Sequence, residues 1–372
     1  MAPWTEQQDD PNRRVRRGRG AVSNRDGRFE HHAHALEDDG WSSLDEVLAA
    51  DRVATLVGEE ATREIIARND SPDVPFDQSI NPYRGCEHGC IYCFARPSHA
   101  YLGLSPGLDF ETRLYAKSDA AARLERALRR KGYKVSPLAI GANTDPYQPI
   151  EKERRITRAL IGVMDRFNHP FGIITKSDRV CRDIDLLAPM AARGLVQVAL
   201  SITTLDAGLA RVMEPRAATP ARRIEAVRRL SAAGIPVSVL VSPIIPAIND
   251  HEIEAVLEAA ATAGAGSAST ILLRLPLEIA DLFREWLETH FPDRAERVLS
   301  LIRQSRGDRL YDPRFGHRMK GSGPYAEMLR ARFERAKRRL GLDQRRLALD
   351  TSQFAVPLET CGDGRQGELF AP

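Results

Sequence analysis

Three cysteines fall within eight residues of this 372-residue chain, in the segment Asn81-Pro-Tyr-Arg-Gly-Cys86-Glu-His-Gly-Cys90-Ile-Tyr-Cys93-Phe. Thiolates are the usual ligands of iron–sulfur clusters, and a cuboidal [4Fe–4S] cluster takes four ligands. Cys181 and Cys361 lie far off in unrelated contexts. Three protein ligands therefore leave one iron open to a small chelating molecule. Two other readings use the same residues. A structural zinc ion would take a fourth ligand from His88 or His99, although zinc spacings usually pair their ligands as two short hooks. A purely structural cluster would leave the open iron without a task. A disulfide framework fits poorly, because five cysteines is an odd count and most of them are clustered.

The elements that must position this loop are legible as apolar runs rich in β-branched residues. They cover Ser79–Tyr83, Leu138–Asn143, Gly172–Lys176, Val196–Thr203, Val237–Ile245 and Thr270–Leu275. Amphipathic helical stretches lie between them, as at Glu151–Phe167, Pro220–Ala233 and Asp250–Ala263. Asn249 stands where an N-cap would, and Gly234 before Ile235-Pro236 where a helix stop would. Strands alternating with helices imply βαβ units and a parallel sheet, closed toward a barrel or open and doubly wound. In both, ligands sit at the carboxyl ends of the strands. The cysteine loop follows the first run and lies at that end. Beyond residue 290 the rhythm stops, and Asp293–Arg306 and Gly323–Leu340 read as helices.

The spacing Cys-x3-Cys-x2-Cys, with an aromatic before the third cysteine, resembles the signature of the radical S-adenosylmethionine (SAM) superfamily. Residues 70–290 are similar to the branch that includes spore photoproduct lyase and DNA repair photolyase-like proteins. The stretches that carry this are Asn81–Cys86, Gly141–Glu151, Ile174–Ser177, Ser201–Leu205 and Pro243–Asp250. A bacterial subfamily of unassigned activity looks closer still, through the Arg17-Gly-Arg-Gly leader, Met213-Glu-Pro-Arg and the basic C-terminal helix. The resemblance implies an α/β fold, a partial (β/α)6 TIM-type barrel with the cluster at its mouth and SAM across the strand ends. It implies reductive cleavage of SAM to a 5′-deoxyadenosyl radical that abstracts hydrogen, in lyase or transferase-type chemistry. It also implies a low-potential electron donor such as flavodoxin or ferredoxin.

Polar residues near the strand ends fit that picture. Tyr92 is a candidate to cover the adenine of SAM; Asn143, Thr144 and Asp145 to bond its ammonium; Lys176 to meet its carboxylate; and Ser201 to meet its ribose. Turn-forming and core roles stand beside these. Glu214 and Arg216 either clamp substrate or pair with each other. Spore photoproduct lyase returns a hydrogen atom from an active-site cysteine, and no cysteine follows the second run here. Thymine-dimer repair is therefore not carried over. Tyr147 is a candidate donor instead, and Cys181 is expected to pack as a small apolar residue.

The net charge is +3, but its sign is unevenly placed. Seven arginines crowd positions 13–28, and residues 294–346 carry 16 Lys/Arg against 6 Asp/Glu. Solvated faces or a surface for polyanions would both look like this. Residues 1–40 are polar and Gly/Arg-rich, which predicts a mostly disordered basic leader; His31, His32 and His34 lie in it. The expected organisation continues with a helical segment over 41–75, the barrel over 76–290, a helical basic extension over 291–350 and a flexible tail over 351–372. Gln366-Gly-Glu-Leu-Phe370 resembles the peptide by which repair proteins dock onto the sliding clamp. No stretch has the ~18 apolar residues of a membrane span, and the N-terminus lacks a secretory apolar region, so a cytoplasmic location is expected. Three functions follow in order: a radical SAM enzyme acting on nucleic acid through the leader and C-terminal helix, one acting on a protein or small molecule, and a non-catalytic iron–sulfur nucleic-acid-binding protein.

Overall fold

Six parallel strands form the centre of the computed structural model, which describes residues 13–30, 53–343 and 348–358. They are β1 (Gln78–Ile80), β2 (Leu138–Ile140), β3 (Phe171–Thr175), β4 (Val196–Ser201), β5 (Val237–Ile244) and β6 (Ser267–Leu272), hydrogen-bonded in sequence order. Each apolar run of the sequence holds one strand. Such runs are continuous because parallel strands are buried on both faces. Ala67–Arg68 adds an antiparallel partner outside β1. Helices α1 (Ala120–Leu128), α2 (Ile156–Arg166), α3 (Ile184–Ala192), α4 (Pro220–Ala232), α5 (Ile253–Thr262) and α6 (Ile279–His290) each follow a strand. This is the partial (β/α)6 barrel that the resemblance implies. Ile140, Ile173, Val198 and Val239 of the sheet share one core with Leu160, Leu187, Leu230 and Leu257 of the helices.

Local chemistry departs from the sequence reading in instructive places. Gly234 ends α4 with φ +75° and its amide on the Ser231 carbonyl. Asn249 does not cap α5; its amide donates to the carbonyls of Thr203 and Pro243 and accepts from the Ile245 amide, tying two strand-end loops together. The helix expected over Glu151–Phe167 is broken at Arg155, whose φ is 52°. Over its described part, 53–75, the expected N-terminal helical segment contains no helix. Leu56–Glu59 instead forms a parallel strand with Arg113–Ala116, in which β-branched Val57 stands opposite Leu114.

The leader and tail differ from expectation more sharply. Residues 13–30 pack on the barrel, with Arg16, Arg19, Ala21, Val22 and Ser23 buried. Composition misreads this segment because it docks through polar groups rather than an apolar face. Residues 351–358, assigned to a flexible tail, lay Phe354 against Phe167, His169 and Tyr133, and Ala355 donates to the Phe167 carbonyl. His31, His32, His34, Cys361 and the clamp-like segment Gln366–Phe370 lie outside the described residues.

At the C-terminal side, α7 (Pro292–Gln304) and α8 (Gly323–Arg339) close the structure. Ala326, Leu329, Phe333 and Ala336 line the buried side of α8. Part of its basic face is neutralised by α5, through Arg332 with Glu254 and Arg339 with Glu258. Among the described residues no helix is long and apolar enough to cross a membrane.

Phe333 is 1% exposed, so Phe333→Ala leaves a cavity under α8. The expected cost is about 3–5 kcal/mol, read as a lower urea midpoint with an unchanged slope.

Candidate active site

The cysteine loop leaves β1 and is bent by glycines. Gly85 and Gly89 have φ of 72° and 66°, conformations that favour glycine. A Cβ on Gly85 would lie 2.5 Å from Leu114 Cδ2 and 2.9 Å from the Phe110 carbonyl oxygen. The Cys86 amide donates to that carbonyl at 2.9 Å, and the Cys93 amide to Cys90 at 3.2 Å. The three thiols are free; Cys86 and Cys90 are buried and Cys93 is half-buried.

Two residues that the sequence did not flag hold this loop. Arg96 is fully buried at the start of the short 3-10 helix Arg96–Leu102. Its Nε donates to the Cys90 carbonyl at 2.9 Å, its Nη1 to the carbonyls of Pro106 and Gly107, and its Nη2 to Gly89. Nη2 also meets Glu111 Oε1 at 2.5 Å, and neither side chain of that pair is exposed. Only a guanidinium, with five donors in a planar fork, serves so many acceptors at once.

On the barrel side a second network centres on Glu214. Its Oε1 accepts from Thr203 Oγ1 at 2.7 Å and from the Tyr92 hydroxyl, and its Oε2 from Arg223. Arg223 also donates to the carbonyls of Ser201 and Ala218. Burial alone would raise the Glu214 carboxyl, but Arg223 and Lys176 outweigh it and hold the group at about 2. Glu214 thus pairs with Arg223, not with Arg216; Arg216 pairs with Glu87 of the cysteine loop at 3.1 Å. The Lys176 ammonium lies 5.6 Å from the Tyr92 ring centroid. Burial opposes its charge, while Cys90 and Glu214 favour it and prevail.

Asp145 forms a third anchor. It accepts from the Tyr147 amide, Thr175 Oγ1 and the Lys176 amide, and lies 3.3 Å from His88 Nδ1. Burial would raise it, yet His88 and the donors from β3 keep it at about 2. Of its neighbours, Thr144 donates to the Tyr83 carbonyl, and Asn143 is exposed with its amide on Asn81. Ser201 is buried at the end of β4. Tyr92, Thr144, Asp145, Lys176 and Ser201 therefore gather around the strand ends beside the cysteines. Tyr147 is fully buried and donates to Asp183, and Cys181 packs in the core.

The donor set suits a cuboidal cluster. Burial pushes the Cys90 thiol up to about 12 against the pull of Lys176, and raises Cys86 well above its ordinary value with help from Asp145, Cys90 and Cys93. Loading therefore has to displace protons, as thiolate–metal binding does. Among the described residues no three His, Cys, Asp or Glu side chains gather around one ion. His99, weighed as a zinc ligand, places Nε2 2.9 Å from the Arg113 carbonyl oxygen.

Residues 80–260 match the Radical SAM superfamily. Uncharacterized proteins of Mycobacterium tuberculosis and Mycobacterium bovis are 35% identical over 290 residues, covering 77% of this chain and 82% of theirs. An uncharacterized protein of Methanocaldococcus jannaschii is 30% identical over 173 residues, 46% of this chain and 62% of that one. Spore photoproduct lyase complexed with dinucleoside spore photoproduct superposes with a TM-score of 0.53 at 16% identity, covering 76% and 79% of the two chains. A variant of that enzyme with bound AdoMet and dinucleoside spore photoproduct also gives 0.53, at 17% identity, covering 76% and 78%. At such identity the likeness is one of fold.

Both depressed carboxyls stabilise the fold above their unfolded values near 4.5 and 3.8, and that contribution is lost as pH falls toward 2. Glu214→Gln should cost about 3–5 kcal/mol at pH 7, because Arg223 stays buried without its partner. It should also flatten the stability loss below pH 4.5. Urea titrations of both proteins across pH 7 to 3 read both effects.

Proposed function

The chain belongs to the radical SAM superfamily and is an enzyme of the radical SAM type; from that premise we propose that it acts on nucleic acid, with Cys86, Cys90 and Cys93 as the cluster ligands. The family's [4Fe–4S] cluster and SAM, when bound, supply a 5′-deoxyadenosyl radical for hydrogen abstraction. This chain's residues bind, orient and exclude water. Tyr92 offers a ring whose hydroxyl is fixed by Glu214, and that ring is our candidate support for adenine. The Lys176 ammonium is the candidate for the SAM carboxylate. Asn143 and Thr144 are candidates for the ammonium and Ser201 for the ribose. Asp145 acts by orienting the β3 end, since its carboxylate already meets three donors and His88.

The observation that carries the substrate class is a pair of arginine-capped rings on one side of the mouth. The Arg274 guanidinium lies 4.5 Å over the Phe94 ring, next to Cys93 and two residues beyond β6. Arg318 lies 4.6 Å over Phe315. Phe94 and Phe315 are 44% and 55% exposed, which is unusual for rings of that size. Asp73 is engaged by Arg318 and Asp312 by Arg314, and among the described residues no carboxylate pairs with Arg274. Exposed rings beside a guanidinium that no carboxylate pairs, that of Arg274, suit stacked bases and phosphates. Residues 13–28 and α8 add positive charge, and the clustered free thiols favour a cytoplasmic location and a flavodoxin- or ferredoxin-class donor. The segment Gln366–Phe370 is proposed to contact a sliding clamp.

Anaerobic reconstitution with iron, sulfide and a reductant should yield 5′-deoxyadenosine from SAM, and Cys93→Ala should abolish it. No product from the wild type would sink the catalytic reading. Single-stranded oligonucleotide affinity should fall steeply with salt, and Arg274→Ala should weaken it about tenfold, as losing a phosphate contact does. Salt-independent or absent binding would favour a protein or small-molecule substrate.

A further inference from the structure

We infer that residues 13–30 are a latch whose docking is coupled to cluster loading, an inference that rests on the three cysteines being the cluster ligands. Glu111 is the joint. Its carboxylate, fully buried, accepts from the Gly20 amide (Oε2, 2.9 Å) and the Ala21 amide (Oε1, 2.9 Å) on the latch, and from Arg96 on the loop side. Arg19 reaches past it, donating to the Glu111 carbonyl at 2.8 Å, the Val53 carbonyl at 2.6 Å and Thr55 Oγ1 at 2.9 Å. Thr55 in turn donates to Glu87, the residue after Cys86.

The contact with the loop itself is just as close. A Cβ on Gly20 would lie 1.9 Å from the Gly89 carbonyl oxygen and 3.5 Å from the Ile91 amide nitrogen. Gly20 is therefore required by close approach to the segment between Cys86 and Cys90. Ala21 joins the apolar cluster that contains Cys90, Ile91 and Tyr92. Farther along, Arg13 pairs with Glu288, and Ser23 and Arg25 with Glu285, which ties the latch to α6.

Undocking would leave Arg96 as the remaining protein donor to Glu111, and Arg96 would be free to follow the carboxylate away from the Gly89 and Cys90 carbonyls. A half-satisfied buried network costs more than a complete one. The latch therefore favours the loop geometry seen with it docked, and whatever fixes that geometry must favour the docked latch by the same factor. Gly20, Arg19 and Glu111 are positioning residues in this scheme and touch no reacting atom.

Trypsin reads the coupling in the wild-type protein, because Arg19 is buried and the Arg19–Gly20 bond is cut only when the latch opens. Cleavage there should be at least about fivefold slower in the reconstituted protein than in the apo protein. Gly20→Val should open the latch, release iron to a chelator at least about fivefold faster and alter the electron paramagnetic resonance line shape of the reduced cluster. The double variant Arg13→Ala/Arg25→Ala, which loosens the α6 end without touching the loop, should do the same more weakly and serves if Gly20→Val fails to fold. Equal cleavage of the apo and loaded wild type overturns the coupling. So does unchanged iron release and line shape in a variant whose latch is cut freely. A wild type that takes up no iron and sulfide overturns the cluster assignment first, and the coupling with it.

Discussion

The buried Arg96–Glu111 pair is the constraint on which the cysteine loop depends. Backbone carbonyls of the cysteine loop and of the segment packed beside it are removed from water here. Buried carbonyls need donors. Arg96 serves four of them, at Gly89, Cys90, Pro106 and Gly107, and Glu111 balances its charge where no solvent can. A buried pair of this kind adds little net stability when complete, yet losing one partner leaves an uncompensated charge. Its value lies in specifying one loop conformation.

Two further buried carboxylates extend the same logic around the loop. Glu214 reaches it from the barrel side through Tyr92, and Asp145 from the end of β2 through His88. Each is matched inside the protein, by Arg223 in one case and by His88 and the donors of β3 in the other. The loop is thus held from three directions by buried acids, Glu111 and Glu214 paired with arginines and Asp145 met by the β3 donors and lying 3.3 Å from His88 Nδ1. Lys176, whose charge both Cys90 and Glu214 favour, lies in the same region with its ammonium 5.6 Å from the Tyr92 ring centroid.

The six strands and the cysteine loop were legible because their signals are local. A parallel strand buried on both faces reads as an unbroken apolar run, and three thiols within eight residues have few other uses. Arg96, Glu111 and Arg223 were not legible, since an arginine or glutamate that is buried through distant partners looks like any surface one. The same gap explains the leader. Its Arg-Gly-Arg-Gly composition lacks an apolar face, so hydropathy predicts disorder, whereas it is ordered by the Gly20 and Ala21 amides meeting the buried Glu111 carboxylate and by the Arg19 guanidinium meeting the Glu111 backbone carbonyl. Asn249 carried the right residue type for a cap, but the Ile245 amide occupies its Oδ1 while its Nδ2 donates to the carbonyls of Thr203 and Pro243.

Charge, finally, means something different on each side of this molecule. The basic helix α8 stands out in the sequence, yet Glu254 and Glu258 of α5 answer two of its arginines, and Lys337 lies 3.8 Å from Glu334 on the helix itself. The leader's arginines are largely engaged as well, by Glu278, Glu285, Glu288 and the carbonyls that Arg19 meets. Arg274 differs in kind. Burial and the nearby Arg318 already work against its charge, and the acids within reach are matched to other arginines. A cation held at such a cost beside Cys93 and an exposed ring makes sense if an anion arrives from outside. The count of basic residues along the chain therefore says less about the substrate than this single arginine at the end of β6.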